Sequence, residues 1–256
     1  MTQLRVATYN TWNCQGDFDR RLALMSAGLK ALNADVILLQ EVFTQVPSGQ
    51  DVARTFGDDL DMSVAHVPAR KKLRGLNGVP VLSCSGLAVL SRGPIGVHQS
   101  VRLPEDARDG ERLGQVVSTR IDTHEVLLAN VHLSHLAGED GLRQRQLDAL
   151  MNHVASIPDH DVTVLGGDMN LVAGHSILSA LQKDRDVQGV SYAAPPTTTL
   201  NPVDPMPPSM GVIDHVFVKA TGKCFAHANI ALNTPDEASG VFPSDHMAVV
   251  VDIAFN

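Results

Sequence analysis

The stretch Val162-Thr-Val-Leu-Gly-Gly-Asp-Met-Asn170 joins a short, mainly apolar run to two glycines and then to two polar residues. The run Val162–Leu165 predicts a strand, and its few polar positions are typical of a strand that is buried on both faces. Asp168 and Asn170 would therefore follow the end of a buried strand. A purely structural Asx turn after the glycines is the alternative for these two residues.

The same kind of apolar run recurs from one end of the chain to the other. Turn residues or helical patterns separate the runs, as expected for strands joined by loops and helices. The further predicted strands are Leu4–Tyr9, Val36–Leu39, Leu87–Leu90, Val126–Val131, Val212–Val218 and Met247–Phe255.

Two segments have the pattern of amphipathic helices. Asp17 can cap the first, which runs through Leu32, and the second extends from about Gly138 to Ser156. The predicted inward positions are Leu22, Met25, Leu29 and Leu32 in the first, and Leu142, Leu147, Leu150, Met151 and Val154 in the second. Strands buried between outer helices predict a layered α/β fold.

Two long segments lack periodicity and are predicted to be loops. Arg70–Ser85 combines a basic cluster with glycines, and Ala193–Met210 is rich in Pro and Thr. Loops of this length inside a compact protein are often functional. Neither segment resembles a linker, so residues 1–256 are predicted to form a single domain.

Composition narrows the class of protein. Hydrophobic residues make up 44% of the chain and charged residues 19%, as in ordinary globular proteins. The net charge of −8 argues against extended contact with nucleic acid, although it leaves room for a local basic patch. No signal peptide or apolar run long enough to span a bilayer is visible, which predicts a soluble, cytoplasmic protein without membrane insertion.

Polar residues are concentrated at the ends of the predicted strands. Some of these residues follow a strand and others precede one, so antiparallel neighbours would gather them at one edge. The set comprises Asn10, Gln40, Glu41, Asn130, His132, Asp168, Asn170, Asp214, Asp245 and His246. Carboxylates that converge cannot all stay ionised without compensation, and Mg²⁺ with oxygen ligands would supply it.

Six short runs in this set resemble the signature of the endonuclease/exonuclease/phosphatase superfamily, whose fold is DNase I-like. The runs are Thr8-Tyr9-Asn10, Leu39-Gln40-Glu41, Asn130-Val131-His132, Gly167-Asp168-Met169-Asn170, Ile213-Asp214-His215 and Ser244-Asp245-His246. They occur in the family's order across nearly the whole chain. The resemblance implies a four-layer α/β sandwich, with two mixed β-sheets packed face to face and helices outside.

The resemblance also implies roles for individual residues. Glu41 would be the principal metal ligand, with Asn10 and Asp245 on the metal or the phosphate. Asp168 would orient or deprotonate the attacking water, and Asn170 would hold a phosphate oxygen.

The two histidines have implied roles as well. His246, oriented by Asp214, would stabilise the charged transition state or act as acid or base. His132 would donate to a phosphate oxygen or to the leaving group. We also expect substrate contacts from Asn130 and from Arg74 of the basic cluster.

These observations predict a Mg²⁺-dependent phosphoesterase, with Mn²⁺ as a possible substitute. Water would attack the phosphorus of a phosphodiester or phosphomonoester in a phosphorylated small molecule or a lipid headgroup. A nuclease or a DNA-end-processing phosphodiesterase is the alternative enzyme, and a catalytically inactive binding protein of the same fold is the alternative outside enzymes. Structural readings also remain for single residues: Glu41 as a helix cap, His132 in the core and His246 in a turn.

Overall fold

The computed structural model describes residues 2–47, 49–158, 160–203 and 211–256. Within these ranges the strands and helices follow one another as β1 Thr2–Asn10, α1 Phe18–Leu32, β2 Val36–Gln45, α2 Val52–Leu60, β3 Ser63–Val67, β4 Lys72–Leu76, β5 Val79–Ser91, β6 Ile95–Arg102, β7 Leu113–Ile121, β8 His124–His132, α3 Asp140–Val154, β9 Val162–Asp168, α4 Ser176–Arg185, β10 Gln188–Gly189, β11 Ser191–Tyr192, β12 Asp214–Ala220, β13 Cys224–Ala231 and β14 Ala248–Phe255.

The described strands form two mixed sheets. Sheet one has the order β11-β13-β14-β1-β2-β5-β3, with β4 also paired to β5, and sheet two has the order β10-β12-β9-β8-β7-β6. Parallel pairs such as β1 with β2 and β8 with β9 occur beside antiparallel ones. The predicted strands are all present at or near their expected positions.

Alternation along the strands divides the core into three layers of contact. In β1, Ala7 and Tyr9 pack toward α1 and α2, whereas Leu4 and Val6 face sheet two. A third cluster packs α3 and α4 on the outer face of sheet two. Helices thus cover both outer faces of two stacked sheets, and the expected four-layer α/β sandwich is confirmed.

The helix predictions hold, with one change on the first helix. Asp17 caps α1 by accepting from the backbone N of Arg20, and the predicted inward residues of α3 are buried. The fully buried stripe of α1, however, includes Phe18 and Arg21, while Leu22 and Leu32 are only half-buried. An arginine therefore occupies a core position on this helix.

The loop predicted over Arg70–Ser85 is wrong, because the segment forms a β-hairpin. β4 pairs antiparallel with β5, and the turn is Asn77-Gly78. Both turn residues have positive φ, +50° and +80°, as a tight two-residue hairpin requires. Of the second predicted loop, residues 193–203 are irregular and residues 204–210 lie outside the described residues.

The glycine pair before Asp168 is required by close packing of strands. A Cβ on Gly167, whose φ is +147°, would lie 1.9 Å from the Val131 carbonyl oxygen. A Cβ on Gly166 would lie 2.7 Å from the side chain of Leu38 in the opposite sheet. The two glycines allow β9 to approach both neighbours closely, and this approach brings Asp168 to the edge of the sandwich.

Candidate active site

The strand ends that carry the predicted residues meet at one edge of the sandwich. In sheet one, β1 and β2 run parallel and β14 runs antiparallel to β1. In sheet two, Asp168 pairs with His132 of the parallel β8 and with Asp214 of the antiparallel β12. The two sets also touch across the sheets, since Asn10 Nδ2 lies 3.1 Å from Asp168 Oδ2.

Asp168 lies at the centre of the cluster and is only 2% exposed. Its carboxylate accepts from Asn10 Nδ2 at 3.1 Å and from the Asn170 backbone N at 3.0 Å. His132 Nε2 and His246 Nε2 lie 3.4 and 3.7 Å from Oδ2. Burial raises the pKa of Asp168 to about 7, although the positive charge of His246 opposes the shift. A carboxyl group with this pKa is suited to accepting a proton near neutral pH.

His246 is paired with a buried carboxylate. Its Nδ1 lies 2.9 Å from Asp214 Oδ2. Burial alone would lower the pKa of His246, but the charges of Asp214 and Asp168 hold it well above its usual value. By contrast, burial and then the nearby Arg112 lower the pKa of His132. These surroundings therefore favour the charged form of His246 and the neutral form of His132.

Glu41 lies at an irregular point within β2 rather than after its end. The register with β5 shifts between Leu39 and Val42, and Glu41 has a positive φ of +54°. Thr11 Oγ1 donates to the Glu41 carbonyl at 3.0 Å, and Asn13 Nδ2 donates to Glu41 Oε2 at 2.5 Å. Bulges and unusual φ values are frequent where a strand aims a side chain at a functional site.

The acidic residues fit a divalent cation. Asp168, Asp214 and His246 offer ligand atoms within 4.8 Å of one another, so this buried group could hold a metal ion. Burial raises the pKa of Asp245 to about 6, and the negative charge of Glu41 adds to the shift. In the described structure, Asp214 Oδ1 is buried without a hydrogen-bond partner. Negative charge in excess of its partners is what a hard cation neutralises.

The structure brings most of the predicted site residues to one edge of the sandwich, and several of them already form hydrogen bonds within the protein there. Asn10 Oδ1 accepts from the Trp12 backbone N at 3.0 Å, so this side chain currently braces Asp168. Asn170 Nδ2 donates to the Leu133 carbonyl at 3.1 Å. Asp245 follows Ser244, whose Oγ donates to the Asn10 carbonyl at 2.7 Å.

Asn130 is not brought to the cleft, contrary to the expected substrate contact. It is fully buried, and its Nδ2 donates to the carbonyls of Leu39 and Ala88 at 3.0 Å. Its Oδ1 accepts from Gln40 Nε2 at 2.8 Å. The side chain lies between the two sheets and satisfies backbone groups there, which leaves no polar atom for substrate.

Arg74 lies in the wall of a cleft beside Glu41. This cleft, of about 500 Å³, is lined by Asn13, Gln15, Glu41, Arg70, Lys72, Leu73, Arg74, Gly75, Ser85 and His135. The Arg74 guanidinium donates to the carbonyls of Ser83 and Arg70, at 2.9 and 3.0 Å. The substrate contact expected of Arg74 stays a prediction.

Other polar residues of the sequence are structural. Arg143 and Gln146 of α3 hydrogen-bond to the backbone of Ser134 just after His132. His215 Nε2 donates to the Leu171 carbonyl at 2.7 Å, and the side chain lines a separate cavity of about 350 Å³. No Asp or Glu among the described residues lines that cavity.

Two side chains of the irregular segment before β12 hold the site in place, and the sequence reasoning missed both. Thr199 Oγ1 accepts from the backbone N of Asp214 at 3.3 Å. Asn201 Nδ2 donates to the carbonyls of Ser244 and His246, at 3.0 and 2.9 Å. Both residues are fully buried. A lone Thr and Asn in a Pro/Thr-rich stretch give no sequence signal for this role.

Arg21 is the third residue that the sequence reasoning missed. Its guanidinium is 1% exposed and donates to the carbonyls of Thr11, Gln15 and Pro243. It thereby joins the loop after Asn10 to the loop before Asp245. A signal was present, because Arg21 lies three residues after Phe18 and four before Met25 on an apolar helix face.

We expect Arg21→Met to lower the free energy of unfolding by roughly 2–4 kcal/mol, because buried carbonyls lose a charged donor. Urea denaturation followed by circular dichroism measures the change. Arg20→Met is the matched control: Arg20 pairs with Asp236 at the surface, and such pairs contribute less than about 1 kcal/mol. Equal losses in the two variants would show that the buried hydrogen bonds do not matter.

Two stacked mixed sheets between outer helices, with carboxylates and histidines at one edge, define a DNase I-like α/β protein. The model of the Endonuclease/Exonuclease/phosphatase family matches residues 9–246, and the chain belongs to that family. Its members are hydrolases that act on phosphoester bonds. No curated protein sequence matches the chain significantly.

Solved structures share this fold at low sequence identity. An endonuclease/exonuclease/phosphatase from Beutenbergia cavernae is 22% identical with a TM-score of 0.74, over 99% of this chain and 72% of that chain. Mannosyl-6-phosphatase Bt3783 of Bacteroides thetaiotaomicron is 19% identical with a TM-score of 0.74, over 98% and 100%. TDP2 of Caenorhabditis elegans is 18% identical with a TM-score of 0.69, over 99% and 75%. At these identities the likeness establishes the fold alone.

Within the described residues, no helix combines the length and the apolar character needed to cross a membrane.

Proposed function

We propose that this protein is a Mg²⁺-dependent phosphoesterase in which water attacks phosphorus without a covalent intermediate. The observation that carries the proposal is the buried carboxyl of Asp168, which lies 3.4 Å from His132 Nε2 and 3.7 Å from His246 Nε2 and whose pKa burial raises to about 7. A proton acceptor and a fixed positive charge at one point suit hydrolysis of a phosphoester.

Glu41 and Asp245, with the amide of Asn10, would hold the metal. The buried group of Asp168, Asp214 and His246 is the less suitable ligand set, because its atoms already pair within the protein: His246 Nδ1 lies 2.9 Å from Asp214 Oδ2, and Asp168 Oδ2 accepts from Asn10 Nδ2 at 3.1 Å. When bound, Mg²⁺ would neutralise phosphate charge and make the phosphorus easier to attack, and Mn²⁺ could replace it.

The remaining residues divide the chemistry among them. Asp168 accepts a proton from water as the water oxygen bonds to phosphorus and the bond between phosphorus and the leaving oxygen breaks. His246, held as a cation by Asp214, faces the charge that develops on the phosphoryl oxygens. His132 is neutral and would donate its single N–H to a phosphate oxygen or to the leaving oxygen. Asn170 would hold a phosphate oxygen.

A phosphorylated small molecule or lipid headgroup is the favoured substrate. The basic residues beside Glu41 lie in a bounded cleft, and the chain as a whole carries a net charge of −8. A long duplex would need a wider basic surface. Because both sheets contribute to the site, we also propose that residues 1–256 act as one domain.

Hydrolysis of bis-p-nitrophenyl phosphate and p-nitrophenyl phosphate tests the function. We expect turnover that EDTA abolishes and Mg²⁺ or Mn²⁺ restores. Glu41→Gln should raise the Mg²⁺ concentration for half-maximal rate by about tenfold or more, since one ligand charge is lost. The release of p-nitrophenol measures both effects.

Glu111→Gln is the matched control, because Glu111 lines the narrow pocket that also contains Glu41 and His132 but is outside the proposed ligand set. It should leave the Mg²⁺ dependence unchanged. Plasmid DNA and choline phospholipid vesicles extend the substrate panel. Wild-type protein that is inactive on every substrate, or active at full rate in EDTA, would contradict the proposal.

A further inference from the structure

The cleft beside Glu41 carries positive charge that the proposed chemistry does not use. Arg70, Lys72 and Arg74 lie in its wall, on and just before the β4–β5 hairpin. Arg70 also lines the narrow pocket that contains His132 and Glu41. The cationic cleft and the catalytic cluster therefore share a wall.

Carboxylates do not neutralise this charge fully. Arg70 lies 3.6 Å from Asp109 Oδ1, but Asp109 is already paired with Arg112 at 2.6 Å. Among the residues that the structure describes, neither Lys72 nor Arg74 has a carboxylate oxygen within 4.0 Å. Three cations and one carboxylate, that of Glu41, therefore line the cleft, and this surplus of positive charge in a protein with a net charge of −8 indicates an anionic ligand.

The packing of the hairpin fixes Arg74 in place, whereas Lys72 is exposed at the start of β4. Arg74 is 8% exposed and its guanidinium is held by three contacts, to Ser83 O, Ser83 Oγ and Arg70 O. Burial, followed by the charges of Arg74 and Arg70, holds the pKa of Lys72 below its usual value. An anion between these side chains would relieve their mutual repulsion.

We propose that this cleft binds a second anionic group of the substrate, so that the substrate is a small molecule with a phosphoester at the catalytic cluster and a further phosphate or carboxylate on the cations. This inference rests on the proposed function and narrows its substrate class. Lys72 and Arg70 select the substrate, and Arg74 positions the hairpin around it. A cleft of about 500 Å³ has the size of a small-molecule site, not of a duplex groove.

Matched pairs of ligands test the inference directly. The probes are the bisphosphates of ethane-1,2-diol, propane-1,3-diol and butane-1,4-diol, each compared with its monophosphate. Isothermal titration calorimetry gives Kd for wild type, Lys72→Gln and Lys71→Gln, and phosphate release gives KM. Lys71 is the matched control, since it is exposed, adjacent and outside the residues that line the cleft.

We expect at least one bisphosphate to bind wild type about tenfold or more tightly than its monophosphate, because a charged hydrogen bond is added. Lys72→Gln should reduce that preference at least fivefold, and Lys71→Gln should retain it. No preference in wild type for any of the three bisphosphates would overturn the subsite, as would equal effects of the two variants or preferential binding of an oligonucleotide.

Failure of the subsite and failure of the proposed function give different results. If the nitrophenyl phosphates are hydrolysed but no bisphosphate is preferred, only the subsite is wrong. If bisphosphates bind with the expected preference but no phosphoester is hydrolysed, the subsite stands and the catalytic proposal is wrong.

Discussion

Asp168→Asn is expected to reduce kcat for phosphoester hydrolysis by roughly 10²–10⁴-fold, the range that general base catalysis supplies. Asn is nearly isosteric with Asp, and its single amide oxygen can keep one of the two hydrogen bonds that the carboxylate accepts, from Asn10 Nδ2 at Oδ2 or from the Asn170 backbone N at Oδ1. It cannot take a proton from water. Steady-state rates with saturating Mg²⁺ measure the loss.

Stability measurements separate this catalytic loss from unfolding. Burial raises the pKa of Asp168, which means that its buried charge costs free energy of folding. We therefore expect Asp168→Asn to be at least as stable as wild type in urea in the presence of EDTA. Asp58→Asn, at an exposed position on α2, serves as the control for both assays. An Asp168→Asn protein that is folded and fully active would remove Asp168 from the mechanism.

His246→Gln is expected to lower kcat by about a hundredfold or more, because the fixed positive charge beside Asp168 is lost. Asp214→Asn should have a smaller effect in the same direction, since Asp214 acts through its hydrogen bond to His246 Nδ1 at 2.9 Å. The double variant should be no slower than His246→Gln alone. Residues that act as one unit are non-additive in this way.

The four proteins of this double-mutant cycle are compared at several pH values with Mg²⁺ at saturation. His227→Gln, on the exposed side of β13, is the control for loss of a histidine. If the two single losses multiply in the double variant, Asp214 and His246 act independently. The positioning role of Asp214 would then be wrong.

The elements that contain long apolar runs could be predicted from the sequence. The strands β1, β8 and β9 and the helices α1 and α3 carry clear periodicity, because each buries a full face or both faces. β6 could not be found in this way, since it is exposed along most of its length and its register with β7 is interrupted. The hairpin of β4 and β5 was missed although Asn77-Gly78 is a strong turn signal.

The meeting of these strand ends at one edge could be predicted, because polar residues at strand ends stand out against apolar runs. The structure places Asn10, Asp168, Asp214 and their neighbours at one edge of the sandwich and Arg74 in the adjoining cleft, whereas Asn130 lies between the sheets. In sequence Asn130 resembles His132, two residues later on the same strand. Only the packing of the two sheets reveals that Asn130 hydrogen-bonds to Leu39 and Ala88 instead of facing the cleft.

Local periodicity and residue type were enough to predict the layered α/β class and the strands that end in polar residues, and the resemblance of six short runs to a known family added the candidate catalytic groups. The pKa values of the site residues, by contrast, depend on contacts that form only in the folded chain. The charge state of His246 depends on Asp214, 32 residues away, and that of Asp168 depends on burial between the sheets. The contacts of Arg21 are likewise decided by loops that are distant in sequence, since desolvation and hydrogen bonding act through space and not along the chain.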